Sequence, residues 1–318
     1  MIIHTAAPCS LLFGLARLRS NRLAWLGLTL QHPPIVIDAR SAPVLLVTGA
    51  CADVGHAQAV RAMAHLMLPA GDLEVELAIP RSMGLGSEPM LGLAVAATLA
   101  ALAEHPAADD TPSLAEAVGL LPNDALAVHG YDHGGFLLVD AEPDARRWPE
   151  PMRRHELAHD DDHSWAWVLH LPPKPPGTPP TLEADRLAQL LAAAPHLSDE
   201  TGRLVEDELW PAMERDDMAA FSLALMSFQA LNQAALDKAE TPAKGAPDTE
   251  GVLAVLRDNG AEAWGQSAAG LARFGLIRAA HPSIELRREL SKYVGYEGGT
   301  VMASICDNRG AKHTSDAD

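Results

Sequence analysis

Residues 80–88, Pro-Arg-Ser-Met-Gly-Leu-Gly-Ser-Glu, run straight into an apolar stretch from Pro89 to Glu104, and no other segment constrains the fold of this chain as tightly. Ahead of it, Leu73-Glu74-Val75-Glu76-Leu77-Ala78-Ile79 alternates apolar and polar side chains with period two, the mark of a half-buried strand. Strand, glycine turn and apolar helix thus follow one another without a spacer. Gly84 and Gly86 open backbone conformations closed to residues with a Cβ, Ser87 is a good helix N-cap, and the first helical turn leaves amide N–H groups without partners. Such a backbone can cradle an anion.

The spacing separates this turn from the commonest phosphate loops. A P-loop ends in Gly-Lys-Ser/Thr, which is absent, and Gly-x-Gly-x-x-Gly would need glycine where Pro89 stands. By itself the segment suits an ordinary helix-capping turn as well as an anion site. The chain has 318 residues, 48% of them hydrophobic, enough for two α/β domains with real cores. A formal net charge of −18 with only 24 Lys and Arg argues against a nucleic-acid or anionic-membrane partner. A polyanionic ligand must then be met by local donors or by a metal ion.

Cys9, Cys51 and Cys306 have no CxxC spacing and leave an odd thiol, so neither a disulfide framework nor a cysteine zinc site is expected. The apolar residues 10–15 carry no basic group ahead of them, and Arg17, Arg19 and Arg22 fall behind, the reverse of a secretion signal. No apolar run reaches the roughly 18 residues of a membrane helix. A cytoplasmic protein is the expectation, and the oligomeric state is open, a homodimer included.

Short apolar runs at 23–30, 35–39 and 44–47 read as strands of a mixed or antiparallel sheet, and Val60, Met63, Ala64 and Met67 recur at helical spacing. A short helix is expected near 113–119 and a strand at 135–140. Residues 141–163, dense in charge, proline and histidine, read as a linker, which sets domains at 1–160 and 161–307 and a frayed tail at 308–318. Beyond the linker come a strand at 165–171, a proline-rich rigid loop at 172–180, and helices at 183–194, 201–214, 218–238 and 249–259.

Pro-x-x-x-Gly-Leu-Gly-Ser resembles the phosphate-binding motif of the GHMP kinase superfamily, and Gly260 to Gly270, with Gly265-Gln266-Ser267 at its centre, is similar to that superfamily's C-terminal glycine motif. The Gly-Gln-Ser core resembles one branch, the β-ribofuranosylaminobenzene 5′-phosphate synthases. Ser10 to Leu18 is similar to that family's opening motif, His133-Gly134-Gly135-Phe136 to its His-Gly-Gly-Phe strand, and Trp210 to Gln229 to its long second-domain helices. The likeness spans residues 9–280. It implies an α/β (α+β) fold with a ribosomal-S5-like N-terminal domain and a ferredoxin-like C-terminal domain. It also implies condensation of 5-phosphoribosyl diphosphate with 4-aminobenzoate or 4-hydroxybenzoate, with loss of diphosphate and CO2, on the way to methanopterin.

On this resemblance Ser82, Gly84, Leu85, Gly86 and Ser87 would hold phosphate, and Gly265, Gln266 and Ser267 would line the opposing wall. Glu88, His133 and Asp140 are the catalytic candidates, and Mg²⁺ is implied; no metal ligand is assigned, and Glu88, in the first helical turn, competes with phosphate unless a metal bridges the two. The chain departs from the family pattern at Ser10 and Leu12, which stand where the family has Arg and His, at 128–132, and at Ala268-Ala269-Gly270-Leu271. Two alternatives stay open: an ATP- and Mg²⁺-dependent GHMP small-molecule kinase, and a non-catalytic homologue that binds a partner.

Other motifs carry plainer readings. His155-Glu156-Leu157-Ala158-His159 matches H-E-x-x-H, but Arg153, Arg154 and Asp160 to Asp162 flank it, so a solvated linker is expected rather than a zinc helix. His129 and His133 flank Tyr131-Asp132 in an expected turn. Asp140 at a strand end suits a turn cap, and Gln229 on an amphipathic helix suits packing.

Overall fold

A computed structural model describes residues 1–141, 148, 151–158, 164–240, 248–278 and 280–316. The first part of the chain runs β1 (Ile2–Arg17), β2 (Leu23–Ser41), β3 (Leu46–Gly49), α1 (Ala52–Leu66), β4 (Gly71–Leu77), α2 (Ser87–Leu102), α3 (Thr111–Val118), α4 (Ala125–His133), β5 (Phe136–Asp140) and β6 (Pro151–His155). The second runs β7 (Trp165–Leu171), α5 (Leu182–Ala192), α6 (Glu200–Arg203), α7 (Trp210–Glu214), α8 (Met218–Lys238), α9 (Thr249–Asp258), β8 (Ala263–Gln266), β9 (Arg273–Arg278), α10 (Ala280–Val294), β10 (Thr300–Ile305) and β11 (Lys312–Asp316). A π-helical turn, Leu204–Leu209, joins α6 to α7.

The first sheet is built on the long β1–β2 ladder. Along one half of β2 the order is β11-β1-β2-β4-β3, with β3 parallel to β4; along the other half β5 and then β6 complete the sheet. β1 alternates exposed and buried residues over its first half and is buried throughout from Ala7 to Ala16, because only that second half is covered on both faces. β2 contains Pro33 and Pro34, which cannot donate to a ladder; they fall where its register against β1 slips, between the Ala7 and Cys9 pairings. The second sheet, β10-β7-β9-β8, is antiparallel throughout.

α2 is apolar on every face and nearly every residue in it is buried, so it must lie inside the molecule. All five phenylalanines are buried, and the two sheets share one core. Phe13 of β1 packs against Trp167 of β7 at 5.3 Å and edge-on against Phe274 of β9 at 5.4 Å, while Phe136 of β5 and Trp165 of β7 both meet Phe221 of α8.

Several expectations need correction. Residues 125–133 form a helix, not a turn, and Pro151–His155 is a strand on β5 rather than linker. The H-E-x-x-H match therefore starts at a strand end and continues through irregular Glu156 to Ala158, with Glu156 paired to Arg154; His159 lies outside the described residues. Lys312–Asp316 is not part of a frayed tail, because it pairs with β1; residues 317–318 lie outside the described residues. Among the described residues no helix is long and apolar enough to cross a membrane.

Candidate functional site

The glycine turn is fastened by its carbonyl groups. The amides of Leu271 and Ala272 donate to the carbonyls of Ser82 and Met83, the Ser267 hydroxyl donates to that of Gly84 at 2.7 Å, and the Ser10 amide donates to that of Leu85. With four carbonyls turned into the body, the N–H groups between them are free to face outward. Ser82, Gly84 and Gly86 all have positive φ. A Cβ on Gly84 would lie 2.3 Å from the Gly270 nitrogen, so glycine there serves close backbone approach as well as conformation. Gly86, not Ser87, takes the N-cap position of α2, and Ser87 is its first helical residue.

The outward donors are already engaged by a residue of this chain. Glu183, in the first turn of α5, accepts from the Gly84 amide at 3.0 Å, the Ser87 amide at 3.2 Å and the Ser87 hydroxyl at 3.1 Å. Burial pushes its carboxyl above the usual range, opposed by those same hydrogen bonds, and nearby Glu88 pushes the same way as burial. Glu88 does not aim at the cradle either, because Arg81 holds its carboxylate in an ion pair.

Beside the turn opens a cavity of about 240 Å³. Leu12, Trp25, Val118, Leu126 and Leu187 make its apolar wall, and Ser10, Gln58, Arg61, Asn123 and Asp124 bring polar groups. Trp25 is fully buried, and among the described residues its indole N–H has no hydrogen-bond partner. Asp124 accepts from the Leu121 amide, and burial raises its carboxyl above the ordinary range.

Of the expected phosphate residues, Gly84, Gly86 and Ser87 line this cavity with Glu88, while Ser82 and Leu85 are buried beneath the turn. Ser267 and Gln266 support the turn from below rather than forming an opposing wall, and Gly265 pairs with Phe274 in the second sheet. Ser267 is fully buried under Gly84, and Gln266 donates to the Gly270 carbonyl and accepts from Gln229 through its own carbonyl. Of that segment it is Ala269 that reaches the cavity. His133 stands at the far end of α4 from Asp124, about 13 Å along the helix axis, beside Asp132. Asp140 is buried in an ion pair with Arg22. Neither belongs to this cavity.

Sequence reasoning did not find Glu183, Arg61, Trp25 or Asp124. An acidic residue in a first helical turn is what any helix start shows, so nothing local marks Glu183 as an anion for a turn 99 residues away.

Among the described residues the turn offers no all-protein cage for Mg²⁺. Among the described residues no three His, Cys, Asp or Glu side chains converge, and both carboxylates at the turn are taken, Glu88 by Arg81 and Glu183 by the loop.

No protein-family model matches the sequence, and comparison with curated proteins finds no relative. Solved structures do match. A mevalonate kinase of L. major in complex with R-mevalonate superposes with a TM-score of 0.67 at 10% identity, covering 96% of each chain. The Methanococcus jannaschii mevalonate kinase gives 0.63 at 11% identity over 97% of this chain and 98% of its own, and the homoserine kinase of Cytophaga hutchinsonii 0.57 at 14% over 98% and 97%. The chain has the mixed α/β two-domain fold of GHMP kinase structures.

Proposed function

We propose that the protein is a transferase of the GHMP fold that holds a phosphate ester at the glycine turn and an aromatic acid in the adjoining cavity, in the manner of a β-ribofuranosylaminobenzene 5′-phosphate synthase. One observation carries this reading: the Gly84 and Ser87 amides and the Ser87 hydroxyl converge on a single anion, at present the Glu183 carboxylate, at the mouth of an apolar cavity. The motif order from Ser10 to Ser267 supports the branch.

In this reading the diphosphate of 5-phosphoribosyl diphosphate takes the turn and leaves with the electron pair of its bond to ribose C1. The loop N–H groups stabilise the charge that grows on the departing oxygens. The ring carbon bearing the carboxylate of 4-aminobenzoate or 4-hydroxybenzoate bonds to C1, and CO2 then leaves, returning its pair to the ring. Trp25, Leu12 and Leu126 offer the ring an apolar wall, and Arg61 a cation for its carboxylate. The three-dimensional neighbours favour a second reading, a small-molecule kinase, since those cited above are kinases.

One assay separates the two. Purified protein is given 5-phosphoribosyl diphosphate with carboxyl-labelled 4-aminobenzoate or 4-hydroxybenzoate, and labelled CO2 is collected; a parallel arm follows ATP consumption with a panel of alcohols that includes homoserine and mevalonate. Labelled gas is the expected result. ATP turnover without gas transfers the assignment to the kinase, and neither leaves a binding protein.

A further inference from the structure

The donors that make the turn an anion site are filled from within the chain. Glu183 reaches them from α5, whose start is tethered by the proline-rich strap 172–181. The contact is not incidental packing of a well-buried helix. Within the first turn of α5, Ala184 and Asp185 are exposed, and only Arg186 and Leu190 of the whole helix are buried. Pro180, Thr181, Glu183, Ala184 and Leu187 together form one side of the cavity. Glu183 is thus the polar bond that holds the start of α5 over the glycine turn.

We infer that Glu183 is a resident stand-in for the ligand's anion, which closes the cradle to monocarboxylates and yields it only to a phosphate or diphosphate group. The inference rests on the reading of the turn as a phosphate site. A carboxylate attached to the same chain competes at an effective concentration on the order of millimolar or higher, so a free carboxylate making the same three bonds gains nothing by displacing it. A phosphate group brings more charge and more acceptor oxygens to the same donors. Its arrival also lets Glu183 return to water, away from Glu88. The consequence for a synthase is order. The benzoate carboxylate is kept out of the diphosphate place and goes to the cavity, where Arg61 is the available cation. Displacement frees the exposed first turn of α5 to shift with the strap.

The test is calorimetric titration of the full chain with inorganic diphosphate and with 4-hydroxybenzoate, comparing the wild type, Glu183→Gln and Glu183→Ala. Diphosphate should bind at least roughly tenfold tighter to both variants. 4-Hydroxybenzoate should compete with diphosphate in Glu183→Ala and not in the wild type. Thermal melts check folding, and the near-isosteric Glu183→Gln decides if Glu183→Ala is unstable. Diphosphate affinity unchanged or weaker in the folded variants, with the wild type binding, overturns the stand-in and leaves the phosphate site intact. Absence of diphosphate binding in all three chains overturns both.

Discussion

Gly84 and Gly86 occupy the same left-handed region of backbone space, φ 75° and 71°, yet they are not equally replaceable. A left-handed conformation costs a residue with a Cβ roughly 1–2 kcal/mol at either place. At Gly86 the new Cβ would meet the Ser10 hydroxyl oxygen, which can rotate away. At Gly84 it would meet the Gly270 backbone nitrogen and the Ser267 hydroxyl, both at 2.3 Å, and the backbone cannot rotate. Gly84→Ala should therefore lose clearly more stability than Gly86→Ala in urea titrations, and should weaken diphosphate binding by displacing the amide itself. Equal losses at the two sites would mean the second glycine segment is not the support we describe. The glycines themselves were legible in the sequence, because few residues other than glycine are placed so near a helix start for such reasons. Which neighbour forces each one was not, since Gly270 lies 186 positions from Gly84 and no local pattern links them.

At the scale of elements, β7, β9 and α9 are bolted together by one buried polar group. Arg273 of β9 is fully buried and donates to His170 Nδ1 of β7 at 3.0 Å and to the Thr249 hydroxyl at the start of α9. Arginine can only donate and the Gly298 carbonyl can only accept, so His170 must be neutral with its proton on Nε2, bonded to that carbonyl at 2.7 Å. Burial accordingly holds the imidazole below its ordinary value of 6.5, with Arg273 acting in the same sense and the Gly298 carbonyl and Asp248 against it. A lowered pKa means the unfolded chain binds more protons. The stability this group contributes is present above the ordinary imidazole range and is lost as pH falls through the lower folded value. Between about pH 7.5 and pH 5 the wild-type melting temperature should fall more steeply than that of His170→Gln, the difference isolating this group from His313, which burial also lowers. Parallel curves would remove His170 from the account. Helix α8 was legible to the residue, Met218–Lys238, because a long periodic segment declares itself. By contrast, β6 was hidden: Pro151-Met-Arg-Arg-His reads as linker until β5 supplies a partner. β11 likewise gains strand form from pairing with β1, where His313 bonds Thr5 and approaches Tyr131.

For the whole molecule, the aromatic seam decides how the two sheets behave. Phe13 touches Trp167, Phe274 and Phe136, so one side chain of the first sheet is packed into the second. With a single core crossing between them, the wild type should unfold in one calorimetric transition, and Phe13→Ala, costing roughly 3–5 kcal/mol, should lower that one transition rather than split it. Two transitions in the wild type would show that the sheets unfold separately. The sequence by itself determined the strand–glycine turn–helix unit and the amphipathic helices, and with them an α/β chain carrying an anion cradle. Those features depend on neighbours in sequence, through backbone freedom at glycine and side-chain periodicity. Only the tertiary structure decided what fills the cradle and what surrounds it. Glu183 reaches Gly84 from α5, Arg81 removes Glu88 from contention, Ser267 goes under the turn, and Asp140 goes to Arg22. A carboxylate looks alike in every first helical turn; its partner is set by which distant donors the packing of two sheets brings within hydrogen-bond reach.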